Sequence, residues 1–406
     1  MKVVLVNTFI GCDSTGNLTY SIYNKLQENK IETVVAFGRQ NSKMKDHVYK
    51  IGNKIDYLAH AMLTRVTDRN GLYSKHATKE FLEFLDEYKP DVIHLHNLHG
   101  YYINIVMLME YVSKKNIAVV WTLHDCWAFT GHCPYYTDIG CSKWKSCCFS
   151  CPKKKEHPAS YLLDSSKQNY AIKKEVFNKP QRMILTPVSE WLSAEVRSSF
   201  LGKQKIETVY NGIDLNTFKI KNSKFRSKYK IAKEKILLLG VAIHWVPSKG
   251  LEDIIELSKV LSKTKYKIVV IGLDENQIQY VTRKAPNILA LPKTDNANQL
   301  ADAYNAADVF INPSQQETFG MVTAEALSCG TPAIVYNATA SPELVDENTG
   351  RVVEIGDIQA FAKAIDEVLL IPDVSKNCRR RAELLFDRNQ NLEKYIKIYE
   401  RLVETE

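Results

Sequence analysis

Short apolar runs that alternate with more polar stretches are the feature that most constrains the fold of this chain. Runs at 3–6, 34–37 and 117–122, and again at 236–240 and 267–272, are almost wholly apolar and do not alternate in polarity. A strand of this kind is buried on both faces, as in parallel sheets that are covered by helices on each side. The pattern therefore predicts an α/β fold built on parallel sheets.

The alternation of strands and helices stops once and then resumes. The polar, lysine-rich stretch 219–232 separates the two series, and the second begins at Ile236. A chain of 406 residues is also too long for a single hydrophobic core. We therefore expect two doubly wound domains, 1–212 and 213–388, with a ligand cleft at the carboxyl ends of the strands.

Composition and charge indicate an ordinary globular enzyme. The chain is 45% hydrophobic and 25% charged, and we find no apolar run long enough to span a bilayer. The first strand is too short to be the apolar core of a signal peptide, so we expect a cytoplasmic protein. The net charge is +8, with eight lysines between Lys143 and Lys174. This segment predicts an anionic partner, which could be a membrane surface, a lipid pyrophosphate or a nucleic acid, and a solvated lysine surface is the alternative.

Six of the nine cysteines fall between 126 and 151, in a predicted insertion at about 126–156. In a cytoplasm they should be reduced thiols. The spacing of Cys133, Cys141, Cys148 and Cys151 fits a structural zinc site, although free thiols fit as well and Cys147 could replace Cys148. Four thiolates leave no open position on zinc, so such a metal would hold the loop without taking part in chemistry.

A pair of glutamates lies in a predicted strand–loop–helix–strand segment. Glu317 lies in the loop and Glu325 lies inside the helix. Pro313 and Gly320 mark the loop, and Gly330 ends the helix. The predicted elements are a strand at 309–311, a helix at 321–329 and a strand at 333–336.

The start of that helix suits a phosphate group. Unpaired N–H groups and the positive end of the helix dipole lie there, and glycine lets a ligand approach the backbone closely. A carboxylate beside a diphosphate would be repelled, so the glutamates should accept hydrogen bonds from ribose or sugar hydroxyls instead. A plain preference of acidic residues for a first helical turn is the alternative. The predicted N–H donors are those of Thr318, Phe319, Gly320 and Met321.

Segment 308–350 resembles the donor site of the family-4 retaining glycosyltransferases of the GT-B fold. Their E-x7-E motif maps onto Glu317 and Glu325, and further stretches of the resemblance follow in order along nearly the whole chain. A subset of this family, tied to exopolysaccharide and capsule assembly, also resembles the stretch from His124 through the cysteines. The other matching stretches are 91–96, 122–125, 188–189, 211–214 and 249–250.

The resemblance implies two Rossmann-like domains that face each other across a cleft. Residues 1–212 would serve the acceptor, residues 213–388 would bind the donor, and the helix in 389–406 would pack back on the first domain. The implied reaction is a hexosyltransferase reaction with retention, from a UDP- or GDP-linked sugar to a lipid-linked glycan acceptor, in cell-surface polysaccharide biosynthesis. The family mechanism is front-face, through an oxocarbenium-like state in which the leaving phosphate accepts the proton of the incoming hydroxyl, so no protein nucleophile is needed. We also expect that the chemistry requires no cofactor.

The resemblance also implies roles for individual residues. Glu317 would orient the donor sugar, Glu325 would hold the ribose and Lys249 would neutralise the leaving diphosphate. His124 would lie beside the donor sugar, and His96 is a better site candidate than His94. Many relatives have an arginine at the position of His244, so the pair of cations around the diphosphate departs from the usual pattern. Gly16, in a predicted loop at 11–16, and Ser314 are further donor-binding candidates.

Two other classes of protein fit parts of the sequence. A sugar-nucleotide epimerase or a phosphorylase uses the same two domains. A zinc-stabilised nucleic-acid-binding protein would use the basic, cysteine-rich stretch, but the aromatic residues expected of a single-strand binder are not interleaved there, so we expect no nucleic acid. Nothing resembles an Asp-x-Asp motif after a strand, so we expect donor activation without magnesium.

Overall fold

The computed structural model describes residues 1–39, 44 and 46–404. These residues form two compact units. Unit 1 comprises residues 1–209 together with the chain from Asn391 onward, and unit 2 comprises residues 210–390. The last helix therefore belongs to the same unit as the first strand.

Unit 1 is built on a seven-stranded sheet whose strands are all parallel. The strand order is β3-β2-β1-β4-β5-β6-β7. The strands are β1 (Lys2–Asn7), β2 (Glu32–Phe37), β3 (Val48–Lys50), β4 (Val92–Leu95), β5 (Ala118–Leu123), β6 (Met183–Pro187) and β7 (Lys205–Ile206). The helices among them are α1 (Asp13–Glu28), α2 (Lys54–Thr67), α3 (Lys75–Tyr88), α4 (Ile105–Lys114), α5 (Ser166–Val176) and α6 (Glu190–Arg197).

Unit 2 is built on a six-stranded parallel sheet with the order β10-β9-β8-β11-β12-β13. The strands are β8 (Ile236–Val241), β9 (Tyr266–Ile271), β10 (Leu289–Leu291), β11 (Val309–Asn312), β12 (Ala333–Tyr336) and β13 (Gly350–Val353). The helices are α7 (Phe225–Lys228), α8 (Leu251–Val260), α9 (Glu275–Lys284), α10 (Ala297–Ala306), α11 (Met321–Ser328), α12 (Ile358–Leu369) and α13 (Val374–Leu385), and α14 (Arg388–Glu404) follows.

The central strands are buried on both faces, as their continuous apolar sequences predict. Every residue of β4, β5, β11 and β12 is buried. In unit 1 the core beside the sheet includes the apolar face of α1 at Ile22 and Leu26, and Tyr395 and Tyr399 of α14. The parallel α/β architecture in two Rossmann-like domains is confirmed.

The edges of the two sheets differ from the sequence prediction. The short strands β3 and β13 were not predicted, because three or four residues give too little pattern to recognise. The last strand of the first sheet, β7, ends at Ile206. The pairing nevertheless continues, because the amides of Glu207 and Val209 donate to the carbonyls of Leu185 and Pro187 at 3.0 and 3.1 Å. Among the described helices, none combines the length and the apolar character needed to cross a bilayer.

Candidate active site

The loop between β11 and α11, together with α11 itself, carries most of the predicted donor-binding residues. Helix α11 begins at Met321 as predicted, directly after Gly320, whose φ is +100°. A side chain at Gly320 would meet Leu344 at 2.7 Å, so glycine is required both by the backbone conformation and by the neighbour. The side-chain amide of Asn312, at the end of β11, donates to Thr323 Oγ1 at 3.0 Å and links the strand to the helix.

The backbone at the start of α11 has hydrogen-bonding capacity left over. No side chain caps the helix, and Phe319 and Gly320 are themselves buried. Among the described residues, the structure gives no hydrogen-bond acceptor to the amides of Thr318, Phe319, Gly320 and Met321. The Phe319 ring packs between Tyr210 and Phe386, with ring centroids 5.8 and 5.6 Å away, so only its backbone is available to a ligand. Such a helix start favours an anion.

Lys249 and Glu317 meet, although 67 residues separate them in the chain. Lys249 Nζ lies 2.6 Å from Glu317 Oε1 and 3.3 Å from the carbonyl of Gln316. The Glu317 amide donates to Thr339 Oγ1 at 2.8 Å, which fixes the loop on its other side. Both charged side chains keep some exposure, 26% and 13%, so the pair can still be reached from solvent.

Gly250 allows the two loops of this site to come close. Its φ is +74°, and a Cβ there would lie 2.2 Å from the carbonyl oxygen of Pro313. The amide of Gln315 donates to the carbonyl of Ser248 at 2.8 Å across the same junction. The Lys249 loop and the Glu317 loop are therefore joined through their backbones.

Glu325 lies one turn inside α11 and is hydrogen-bonded to one side chain. The hydroxyl of Tyr304 donates to Glu325 Oε2 at 3.0 Å. Burial raises the pKa of Glu325 to about 7, and the Tyr304 bond opposes that rise only in part. A further hydroxyl that donates a hydrogen bond to Glu325 would stabilise its ionised form.

Two of the predicted donor contacts occupy different surroundings from those expected. Ser314 is fully buried, and its hydroxyl lies 3.4 and 3.3 Å from the carbonyls of Ser248 and Gln316, so it links the two loops. His244 is exposed, whereas the adjacent Trp245 is buried and donates to the carbonyl of Ile271 at 2.9 Å. Ser314 is therefore a structural link in this state, and His244 is free to reach a ligand.

In unit 1 the histidines that follow β4 and β5 lie side by side. His96 Nδ1 is 3.1 Å from His124 Nε2, and both rings are buried. Burial lowers the pKa of His124 to about 4, so the ring is neutral at pH 7 and acts as a hydrogen-bonding group. His96 Nε2 is buried with no hydrogen-bond partner among the described residues. By contrast, His94 is satisfied on both nitrogens, by Tyr399 at 2.6 Å and Thr122 at 2.7 Å.

The first loop of unit 1 is shorter than predicted. Helix α1 begins at Asp13, so Gly16 lies in its first turn and not in a loop at 11–16. The amide of Gly11 donates to the carbonyl of Gly16 at 3.0 Å, and a Cβ on Gly16 would meet the Phe9 backbone at 3.3 Å. The sequence suggested a loop because glycines flank the segment, but tight packing against Phe9 explains Gly16 equally well.

The predicted zinc site is not supported. The four cysteines Cys133, Cys141, Cys148 and Cys151 do line one small cavity, of about 20 Å³. However, in the described part of the chain no three His, Cys, Asp or Glu side chains form a group that could hold a metal ion. All nine cysteines are described, and none forms a disulfide.

Aromatic packing and a buried lysine stabilise residues 126–156, which we call the cysteine-rich loop. Trp144 packs against Phe129 and Tyr136, with ring centroids 5.1 and 5.0 Å apart, and all three side chains are buried. Lys173 lies over the ring of Trp127 at 3.4 Å and donates to the carbonyls of Trp127 and Thr130 at 2.8 and 3.1 Å. Sequence spacing could not reveal this network, because α5 brings Lys173 to the loop from outside the cysteine cluster.

The predicted lysine patch at 143–174 is smaller than its sequence suggests. Lys173 is buried, and Lys153 is buried in ion pairs with Asp138 and Glu156 at 2.6 and 3.0 Å. Lysine side chains of this segment that stay exposed include Lys145, Lys155, Lys167 and Lys174.

Several residues that complete the site were not found from the sequence. Tyr304 contacts Glu325, Thr339 holds Glu317, and Leu344 lies beneath Gly320. Each partner is remote in the chain from the residue it supports, so no local spacing could identify it.

A strand–loop–helix start with free amides, an adjacent lysine and two glutamates come together in unit 2. Comparison with known proteins identifies the class. Residues 15–217, half of the chain, match the family Glycosyltransferase Family 4, and residues 221–384 match Glycosyl transferases group 1. The chain therefore belongs to glycosyltransferase family 4 and is a glycosyltransferase.

The names of relatives agree with that assignment. The chain is 25% identical over 326 residues to "Putative colanic acid biosynthesis glycosyl transferase WcaC" of Escherichia coli (strain K12), covering 77% of each chain. It is 28% identical to the UDP-Gal:alpha-D-GlcNAc-diphosphoundecaprenol alpha-1,3-galactosyltransferase of Escherichia coli, over 50% of this chain and 56% of that one. The crystal structure of Anabaena Alr3699/HepE in complex with UDP superposes with a TM-score of 0.70 at 15% identity, covering 99% of this chain and 100% of that one. This structure shares the fold.

Proposed function

We propose that the protein transfers a sugar, with retention of configuration, from a UDP- or GDP-linked donor to a lipid-linked glycan in capsule or exopolysaccharide biosynthesis. The proposal depends on one observation: Lys249 and Glu317 form an ion pair next to the free amides at the start of α11, all within unit 2. The names of relatives, one for colanic acid biosynthesis and one for a diphosphoundecaprenol acceptor, support the pathway and the kind of acceptor.

Each group then has a chemical role. The amides of 318–321 and the Lys249 ammonium bind the diphosphate, where charge develops as the glycosidic bond breaks. Glu317 turns from Lys249 to the hydroxyls of the donor sugar, and Glu325 accepts hydrogen bonds from the ribose. Unit 2 would then bind the donor and unit 1 would serve the acceptor, with neutral His124 as one of its hydrogen-bonding groups. The leaving phosphate takes the proton of the acceptor hydroxyl.

The acceptor also bears on where the enzyme works. A lipid-linked glycan is held at a membrane, so we propose that the protein acts at the cytoplasmic face, with peripheral contact that includes the exposed lysines of 143–174. The UDP complex of a protein with the same fold favours a UDP-linked donor over a GDP-linked one.

A thermal-shift screen against UDP, GDP, ADP, CMP and their sugar conjugates tests the donor assignment. A ligand that binds the native state raises the melting temperature by mass action. We expect one nucleoside diphosphate sugar to raise it in the unaltered protein, and a much smaller rise in Glu325→Ala. Transfer from that donor to a lipid-linked acceptor, with the anomeric configuration of the product read by NMR, tests the reaction. Inversion, or epimerisation of the donor without an acceptor, would refute the proposal.

A further inference from the structure

Helix α2 carries its apolar side chains on the outside. Ile55, Leu58, Met62 and Val66 are 77%, 52%, 63% and 41% exposed, and Leu63 is 39% exposed. These positions are spaced three to four residues apart, so they form one continuous face of the helix. The opposite face, which is buried against the unit, contains the polar residues His60, Thr64 and the C-terminal Asp68. Within the described chain, this orientation of α2 leaves its apolar side chains in solvent, so burial of apolar area does not account for it.

A second apolar segment lies directly beside the end of this helix. The amides of Tyr161 and Leu163 donate to the carbonyls of Arg65 and Val66 at 2.7 and 3.0 Å. Tyr161, Leu162 and Leu163 are 59%, 67% and 56% exposed. Eight of the twenty exposed large hydrophobic side chains in the described chain therefore fall on two adjoining segments, which we call the α2 apolar surface. A cluster of this kind marks an interaction site.

The charges around the α2 apolar surface are basic. Lys54, Arg65 and Arg69 flank the helical part, and all three are exposed. Lys154 donates to the carbonyl of Leu162 at 3.3 Å, and Lys155 follows it in the chain. The surface thus combines large aliphatic side chains, a tyrosine and a basic rim.

The acidic groups of the same segments are already bonded within the protein. Asp56 caps its own helix by accepting from the amide of Asn53 at 2.9 Å. Asp68 is buried against His132, and Glu156 pairs with Lys153 at 3.0 Å. The Asp164 carboxylate accepts from the amide of Ser166 at 2.9 Å. The exposed basic side chains of the rim are therefore available to bind an external anion.

We infer that the α2 apolar surface docks on a lipid bilayer that contains anionic headgroups. The apolar face enters the boundary between headgroups and acyl chains, Tyr161 lies at the polar interface, and the arginines and lysines contact lipid phosphates. This extends the proposed function, because an enzyme docked in this way meets a lipid-linked acceptor at the membrane surface.

Vesicle co-sedimentation of the full chain tests the inference. We would use phosphatidylcholine vesicles with and without roughly a third of phosphatidylglycerol, which supplies the negative surface potential. We expect binding to the anionic vesicles and at least a tenfold loss, on the order expected for removing several inserted side chains, in a Leu58→Ser/Met62→Ser/Leu162→Ser variant. The matched control is Ile355→Ser/Leu370→Ser/Leu384→Ser, whose side chains are 50%, 81% and 67% exposed in unit 2.

Three results would overturn the inference. The first is no binding of the unaltered protein to anionic vesicles. The second is equal binding of both triple variants, which would leave the lysines alone responsible. The third is self-association, seen by sedimentation velocity and lost in the α2 variant, without vesicle binding, which would assign the surface to a second copy. A thermal shift with the donor sugar nucleotide on the same samples keeps the test apart from the proposed function, since that shift depends on unit 2.

Discussion

The ammonium of Lys249 lies 2.6 Å from the carboxylate of Glu317, and the backbones of their loops are joined through Gly250 and Ser248. The pair balances its own charge before a donor arrives. A bound diphosphate offers Lys249 a second anion, and a sugar offers Glu317 hydroxyl donors. On the proposed function, a sugar nucleotide would replace this ion pair: the diphosphate would become the anion beside Lys249, and sugar hydroxyls would donate hydrogen bonds to Glu317.

Removal of the Lys249 charge should slow turnover more than it weakens binding. We expect Lys249→Ala to lower kcat by about 10²- to 10³-fold, because charge develops on the leaving diphosphate in the transition state. Steady-state kinetics with the donor identified by thermal shift would measure this. Lys363→Ala removes a lysine that is 79% exposed in the same unit and should leave kcat unchanged. A kcat for Lys249→Ala within twofold of the unaltered enzyme would remove Lys249 from the mechanism.

Donor affinity should rise with pH because of Glu325. Its pKa is raised to about 7 by burial, and ribose hydroxyls donate better to the ionised form. If only that form binds, the Kd of the sugar nucleotide should fall about tenfold between pH 6 and pH 8. Isothermal titration calorimetry would measure the change. Glu325→Gln should bind weakly at both values, and an equally steep dependence in that variant would assign the effect to another group.

The same group should make stability depend on pH. The folded pKa of Glu325 lies above the ordinary value of 4.5, so the folded protein holds this proton more tightly than the unfolded chain. Its contribution therefore becomes less favourable as pH rises from 4.5 through 7, and stays constant above. We expect Glu325→Gln to melt at a higher temperature than the unaltered protein at pH 8 and at a similar temperature at pH 4.5. Glu347→Gln, at an exposed position, should show no such difference.

Gly250 should not tolerate a side chain. In Gly250→Ala, the new Cβ would lie 2.2 Å from the carbonyl oxygen of Pro313, in a backbone with φ of +74°. We expect a loss of more than about 2 kcal/mol of stability, together with weaker donor binding, because the Lys249 and Glu317 loops must separate. Gly356→Ala has a similar φ of +79° with nothing within 4 Å and should cost about 1 kcal/mol. If chemical denaturation showed the same loss of unfolding free energy in both variants, the contact with Pro313 would not be the cause of the loss in Gly250→Ala.

Lys173 should stabilise the cysteine-rich loop. Lys173→Met keeps most of the length of the side chain but leaves the carbonyls of Trp127 and Thr130 without their donor and removes the amine from the face of the Trp127 ring. We expect a loss of about 2–4 kcal/mol and faster proteolysis between 126 and 156. Lys174→Met, at the exposed neighbouring position, is the control. Unchanged cleavage in Lys173→Met would mean that aromatic packing alone holds the loop.

Much of the fold followed from local patterns. The apolar runs predicted the parallel sheets, because a strand that is buried on both faces cannot alternate in polarity. Helix α11 and strand β12 lie at Met321–Ser328 and Ala333–Tyr336, within a residue of their predicted bounds. Glycine and proline mark these ends through backbone geometry, which acts within a few residues of the chain.

The sequence by itself determined the class of the protein and the strand–loop–helix segment that contains Glu317, because these depend on the order of residue types along the chain. Only the tertiary structure joined Lys249 to Glu317, set Tyr304 against Glu325 and buried Lys173 under the cysteine-rich loop. It also placed no metal-binding group where the cysteine spacing suggested one, and it turned the apolar face of α2 outward. Spacing fixes which residue types are available, whereas contacts between remote residues depend on the packing of whole elements.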